Sequence, residues 1–421
     1  MSRVVLTTIG SLGDLHPMLA IGLALRERGH EVVFAVSQML ASRVEALGFE
    51  VYPMRPEQIP TDDTETIAQM MDLKKGTERL IRDYIFANLR ETYQDLMAIA
   101  QGADFILTGE VVYATRLVAE KLGLKWAFCA LSPSSFFSIY DPPVLPMLAA
   151  LANLRSFPFV NRSVRNLVRS ATRDWAVPLH QLRQELGLLP IGNPIMDEKF
   201  SPHLVLALFS SVLATPQPDW PSHTVQTGFT FYDGALAGAI APELQHFLQV
   251  GEPPIVFTLG SAAVFDPGNF FRDSIQAVQQ IDRRAVLIMG QNPYPENLPD
   301  SILAWDYVLY SAIFPHAGAI VHQGGIGTTA QALRAGRPTL VMPYSHDQPD
   351  NAARLERLGT SRTIPRPQYQ PTRVAKELHT LLKNPSYATQ AQAMSQKIQT
   401  ESGAQAACDA IEKQLEEPNL C

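Results

Sequence analysis

Along its first half the chain alternates short apolar runs with longer stretches in which apolar residues return every three or four positions. VVLTTI leads to Pro17–Arg28, EVVFAV to Leu40–Leu47, and FEVYPM, FILT (105–108), WAFCAL (126–131) and HLVLALF (203–209) continue the series. Brief apolar runs read as strands and the 3.6-residue period as helices, so the pattern predicts right-handed βαβ units and a parallel sheet. Between 211 and 254 it gives way to SVLATPQPDWPSH and GEPP, a proline-rich passage that reads as a join between domains, with the boundary near Asp233. PIVFTLGS (254–261) opens a second series, in which AVLIM, YVLY, GAIVH and PTLVMP read as strands. The expected fold is therefore α/β, with two Rossmann-like, doubly wound parallel-sheet domains over 1–232 and 233–400. The segment 401–421 is helical in pattern, a C-terminal helix expected to return and pack on the first domain, which the sequence alone does not establish.

Sheets of this kind bind ligands beyond the carboxyl ends of their strands, and two turns there carry chemistry. The first is GSLGDLHP (10–17). A strand, a glycine turn and a helix start usually make a place for an anion, yet the carboxylate of Asp14 already stands there, with His16 two residues on. By residue type alone Asp14 reads as a helix N-cap, and His16 equally as a first-turn structural residue or as a contact for an acceptor with a share in base chemistry.

The second turn follows the strand Ala319–Val321, with His322 at its carboxyl end. Gly324, Gly325 and Gly327 allow close backbone approach, and a helix over Thr328–Ala335 ends at Gly336 and Pro338. Free N–H groups, the Thr328 and Thr329 hydroxyls and His322 predict a phosphate cradle. No Gly-Lys-Ser/Thr follows, so the lysine grip of a Walker loop is missing. Gly325 to Ala330 also fits G-x-G-x-x-A, with Asp347 about 20 residues on as the acid of a dinucleotide fingerprint. That acid should end the next strand, at Met342 or Pro343, so the register speaks against it.

GSLGDLHP, RGHEV (28–32), TLGS (258–261) and above all HQGGIGTTAQALRAGRPTLVMPYSHDQPDNA (322–352) together resemble the GT-B-fold, nucleotide-sugar-dependent glycosyltransferases of family 1. The class includes bacterial macrolide, glycopeptide-antibiotic, sterol and rhamnolipid glycosyltransferases, and the likeness covers nearly the whole chain. It implies an acceptor-binding first domain facing a nucleotide-sugar-binding second domain across a cleft. It implies Asp14 as catalytic base, kept ionised by the helix dipole, with His16 as the secondary choice. His322, Gly324, Gly325, Gly327 and Thr328 would hold the diphosphate, with Ser261 a further contact. Val308, in YVLYSAIFPH (307–316), would serve the nucleobase, and Asp347 with Gln348 the sugar hydroxyls. Gly13 and Glu110 would line the acceptor site. The implied reaction is an inverting displacement, and with no Asp-x-Asp in the chain a metal ion is not expected.

Composition narrows the reading. With 421 residues, 46% hydrophobic and 18% charged, the chain is an ordinary globular one, large enough for two cores. A net charge of −7 disfavours nucleic acid as a partner. Cys129, Cys408 and Cys421 form no paired motif, which suits a reducing, cytoplasmic setting. The N-terminus lacks the apolar core and cleavage region of a signal peptide, and Leu204–Ala214 falls short of the roughly 20 residues a bilayer span takes. Arg155, Arg162, Arg165, Arg169 and Arg173, interleaved with apolar residues, read as the solvated face of an amphipathic helix or as a peripheral contact with anionic lipid.

The expectation is transfer of a hexose, glucose by the resemblance at Gln348, from a UDP or dTDP donor to a hydroxyl of a hydrophobic small molecule or lipid. The nucleotide sugar would be a co-substrate and no bound cofactor is expected. A nucleotide-sugar epimerase on the same fold and a non-catalytic nucleotide-sugar-binding subunit stay open as alternatives.

Overall fold

The computed structural model describes residues 1–57, 64–145, 157–234 and 240–417. The chain forms two units: one comprises Met1–Pro60, Lys75–Tyr232 and Glu401–Cys421, the other Thr61–Lys74 and Asp233–Thr400.

The sheet of the first unit contains β1 (Arg3–Thr8), β2 (Glu31–Val36), β3 (Glu50–Pro53), β4 (Phe105–Thr108), β5 (Lys125–Ala130), β6 (Leu204–Ala207) and β7 (Thr224–Gln226). All its pairings are parallel, in the order β3-β2-β1-β4-β5-β6-β7. The second sheet contains β8 (Ile255–Thr258), β9 (Ala285–Ile288), β10 (Ile302–Trp305), β11 (Ala319–His322), β12 (Thr339–Val341) and β13 (Ser361–Thr363), also parallel, in the order β10-β9-β8-β11-β12-β13. Unbroken apolar strands are what a parallel sheet covered on both faces requires. In the second unit Ile255, Phe257, Leu287 and Val321 pack into the core on one face, while Val256, Val286, Ile288 and Ile320 pack on the other.

Each sheet reverses its strand order once, between β1 and β4 and between β8 and β11. Such a switch point leaves a crevice at the carboxyl ends, because the helices after the two strands go to opposite faces. Asp14 and Glu110 follow β1 and β4; Ser261 and the 322–328 turn follow β8 and β11. These four candidates thus fall at the switch point of their own sheet, whereas Val308 follows β10 and Asp347 and Gln348 follow β12.

Several sequence expectations are corrected. The first helix is Leu12–Glu27, so GDLHP lies inside it rather than before it. The 211–254 passage is not merely a join: it supplies β7 and the helix Pro242–Gln249. YVLY is no strand, since β10 is Ile302–Trp305 and Tyr310 opens a short helix; Val308 is buried from the loop between them, and Tyr307 is exposed. The first half is also not contiguous, because Thr61–Lys74 belongs to the second unit, where Ile67 and Met71 are buried in its core.

The segment after Thr400 returns to the first unit. Ser210 donates to Glu401 at 2.5 Å, Gly403 lies so close beneath the Phe229 carbonyl that a Cβ would not fit, and the helix Gly403–Glu416 follows. Its Asp409 and Glu412 each meet Arg28 at 2.6 Å, and Lys125 donates to the carbonyls of Gln414 and Glu417.

In the basic helix Pro158–Ala171, Arg165 pairs with Asp197 at 2.8 Å and Asp219 at 3.3 Å, and Arg169 pairs with Asp197 at 3.2 Å. Arg162 and Arg173 are exposed, as are Phe159 and Leu167, and Arg155 lies outside the described residues. Among the described residues no helix is long and apolar enough to cross a membrane.

Candidate active site

At the first turn Ser11 caps the Leu12 helix. Its hydroxyl accepts from Gly13 N–H at 3.2 Å, and Asp14 returns the bond by accepting from Ser11 N–H at 2.8 Å, a reciprocal capping box. Gly10 is required here: its φ is +138°, and the Asp14 carboxylate fills the space its Cβ would take. Asp14 is thus not the cap that its residue type suggested: Ser11 takes the N-cap, and Asp14, the third residue of the helix, spends Oδ2 on completing the box.

The helix dipole does not dominate the charge state of Asp14, contrary to the expectation above. Burial comes first and raises its pKa to about 6; the hydrogen bonds from Ser11 pull it down, and the nearby charge of Glu110 pushes it up. A carboxyl poised there is mostly ionised at neutral pH, yet more basic than an ordinary aspartate. Glu110 is fixed by Leu131 N–H at 2.7 Å and the Ser135 hydroxyl at 2.5 Å. His16 lies 5.2 Å, centroid to centroid, from the Tyr232 ring. Gly13 stands between Ser11 and Asp14 with its N–H engaged by Ser11.

At the second turn the helix runs Ile326–Ala335, two residues earlier than expected, and its N-cap is Gly325, so no side chain caps it. The positive end of the helix and its first N–H groups are left for a ligand. Gly324 turns with φ +89° against Val341 and Gln348, where a Cβ would collide. His322 is fully buried, and its Nδ1 accepts from Gly324 N–H at 3.1 Å. A neutral imidazole that accepts at Nδ1 carries its proton on Nε2, and this Nε2 is buried with no partner among the described residues. Burial lowers the pKa of His322 to about 3, so the ring is neutral at working pH.

The neighbours divide. Among the described residues the buried Thr329 hydroxyl has no partner, whereas the Thr328 hydroxyl is tied to Tyr310, which also meets Thr258 at 2.8 Å. Gly327 sits in the first turn of the helix, and Ser261 is half-buried after Gly260. The Val308 side chain packs with Ile313 and Phe314, so only its main chain remains to serve a base. Gln348 is buried and uses Oε1 to accept from Tyr344 N–H at 2.9 Å. Asp347 precedes the helix Gln348–Arg357 and accepts from Asn351 Nδ2 at 2.7 Å.

Residues 4–126 match the glycosyltransferase family 28 N-terminal domain, and residues 272–417 match the C-terminal domain of erythromycin biosynthesis protein CIII-like proteins. The fold matches the solved structure of the glycosyltransferase VinC in complex with dTDP, with a TM-score of 0.69 at 20% identity over 98% of this chain and 99% of that one. O-mycaminosyltylonolide 6-deoxyallosyltransferase of Streptomyces fradiae is 32% identical over 98% of this chain and 98% of its own length. The chain belongs to the GT-B glycosyltransferases. Vancomycin aglycone glucosyltransferase of Amycolatopsis orientalis is 30% identical over 85% of this chain and 84% of its own.

Sequence reasoning missed two residues of this glycosyltransferase. Gln323 is buried, and its amide occupies the space beside both Gly260 and Gly325, where a Cβ would collide; its Oε1 has no partner among the described residues. It therefore sits between the turns after β8 and β11, a closeness visible only once those strands are paired. Asn351 is fully buried, and its Nδ2 donates both to Gly324 O at 2.9 Å and to Asp347, joining the glycine turn to the loop before the next helix. Its only signal in the sequence was its place four residues after Asp347, one helical turn away.

Proposed function

We propose that this glycosyltransferase moves a hexose, with inversion, from a UDP or dTDP donor to a hydroxyl of a hydrophobic small molecule, the second unit holding the donor and Asp14 serving as general base. The observation that carries the reading is the uncapped Ile326 helix beside a buried, neutral His322 whose Nε2–H has no partner. Two kinds of donor converge where a diphosphate oxygen would find them, and a buried donor left unpaired is costly unless a ligand supplies the acceptor. As the bond to the anomeric carbon breaks, charge grows on the leaving diphosphate, and these groups stabilise it without reorganising. Asp14, with Oδ2 anchored by Ser11, takes the proton of the attacking hydroxyl. Asp347 and Gln348 read the sugar.

The relatives support the acceptor class through their names, one acting on O-mycaminosyltylonolide and another on vancomycin aglycone. They differ in sugar, 6-deoxyallose against glucose, so glucose rests here on Gln348 alone. The experiment is a panel of UDP- and dTDP-sugars, with and without pooled phenols, sterols and hydroxy-lipids, followed by mass spectrometry. Donor loss with a hexose-sized gain on an acceptor supports transfer. An isomerised donor without acceptor would replace the reading with epimerisation, and nucleotide binding without any chemistry would replace it with a binding subunit.

A further inference from the structure

The segment Thr61–Lys74 is covalently framed on both sides by the unit that carries Asp14, yet it is part of the unit that carries His322. Its helix Thr64–Met70 places Ile67 and, one turn on, Met71 into the same core as Leu259, Met342 and Tyr344. The contact continues into the loop after β12. The Ser345 hydroxyl donates to Met71 Sδ at 3.8 Å, and the His346 ring donates to the Met70 carbonyl. His346 has φ +58°. A non-glycine residue stays in the left-handed region only where its surroundings over-determine it, and here the Met70 carbonyl is part of what holds it. The next residue is Asp347, which Asn351 ties to Gly324 from the other side.

We propose that this strap is a positioning element of the donor site: through Met70, Met71 and His346 it fixes where Asp347 stands, so that a segment rooted in the Asp14-bearing unit governs how the donor sugar is read. The inference rests on Asp347 as a sugar contact. Asp347 touches the sugar in that reading, whereas the strap acts only through it. The strap is more than core filling if loosening it changes the sugar and spares the nucleotide.

The test uses the full chain with Met71→Ser, His346→Gly and His346→Asn, alongside Asp347→Ala. Asparagine tolerates the left-handed region and keeps an N–H donor; glycine keeps the backbone and loses the ring. Three quantities are read: hydrogen exchange over 344–351, affinity for free UDP and dTDP, and turnover of the donor found active in the sugar panel. Met71→Ser and His346→Gly should speed exchange in the loop and leave nucleotide affinity within about twofold. Turnover should fall by about 10- to 100-fold, the scale expected for a misplaced reacting group. His346→Asn should recover part of the loss. Unchanged exchange, faster exchange with unchanged turnover, or equal losses of nucleotide affinity and turnover would each overturn the proposal. If Asp347→Ala itself shows no sugar-specific loss, the sugar reading of Asp347 falls and takes the proposal with it. The exchange data then report whether the strap holds the loop as a purely structural contact.

Discussion

The turns after β1 and after β11 are built from the same parts, a strand, a glycine at positive φ and a helix start, and they end in opposite chemistry. After β1 a serine stands at the N-cap and an aspartate three residues on, so the helix satisfies its own first N–H groups and presents a carboxylate. After β11 the N-cap is glycine, so the N–H groups stay unspent and a buried imidazole adds another donor. Which residue stands at the N-cap decides whether the end of a strand offers an acid or receives one.

The largest effect is expected from Asp14→Asn, which keeps the shape and an acceptor for Ser11 but cannot take a proton. Turnover should fall by roughly 10²- to 10⁴-fold, while calorimetry shows nucleotide affinity unchanged. In the wild type kcat/KM should drop as pH falls through about 6, where Asp14 becomes protonated, and His322, with its pKa near 3, should add no second limb. The folded pKa of Asp14 lies above its ordinary value of 3.8, so its ionisation weakens the fold as pH rises from there through about 6. The inactive variant should therefore melt higher than the wild type at pH 7 and lose that margin as pH approaches 4. Near-normal turnover on an aliphatic alcohol would reduce Asp14 to a cap and turn attention to His16.

Making the second turn resemble the first is the next test. Gly325 has φ −59° and ψ 144°, open to any residue, and its Cβ would displace only the tip of Gln323. Gly325→Asp should cap the helix and, by placing a carboxylate where phosphate belongs, cut UDP and dTDP affinity by about 100-fold or more with no loss of melting temperature. Retained affinity would place the nucleotide elsewhere. His322→Ala should cost roughly 1.5 to 3 kcal/mol of nucleotide binding, the worth of a hydrogen bond to a charged group; an unchanged isotherm from folded protein removes His322 from the site. Ser11→Ala is the mildest change. Loss of the cap should cost about 1 kcal/mol in denaturant unfolding, and depriving Asp14 of the Ser11 hydroxyl, while the Ser11 backbone N–H still donates, should move the acid limb of kcat/KM upward.

The alternation of strands and helices was legible because parallel strands buried on both faces must be apolar throughout, and the glycine turns because close approach and positive φ leave few other residues. The capping box was equally local, with Ser11 and Asp14 three apart, but an aspartate is as good a cap as a serine, so residue type did not say which of the two stands at the N-cap. YVLY misled because an apolar run has no direction: Val308 is buried from a loop as effectively as from a strand, with Tyr310 partly buried beside it at a helix start. Gln323, Asn351 and the strap were out of reach for another reason. Their meaning lies in partners such as Gly260, Gly324 and His346, which are brought near by sheet pairing or by a crossing of the chain, and no periodicity encodes that.

The Gly403 helix also bears on how the protein is made. Its Cys408 reaches the Ile21 carbonyl, and its Asp409 and Glu412 hold Arg28, so one of the earliest helices to leave the ribosome finds its partner nearly four hundred residues later. Until then Arg28 and the apolar back of the Leu12 helix await a neighbour that has not been translated. The Asp14 turn opens that same helix, so the Asp14 carboxyl stands on a helix that is fully packed only after the whole second sheet has been synthesised.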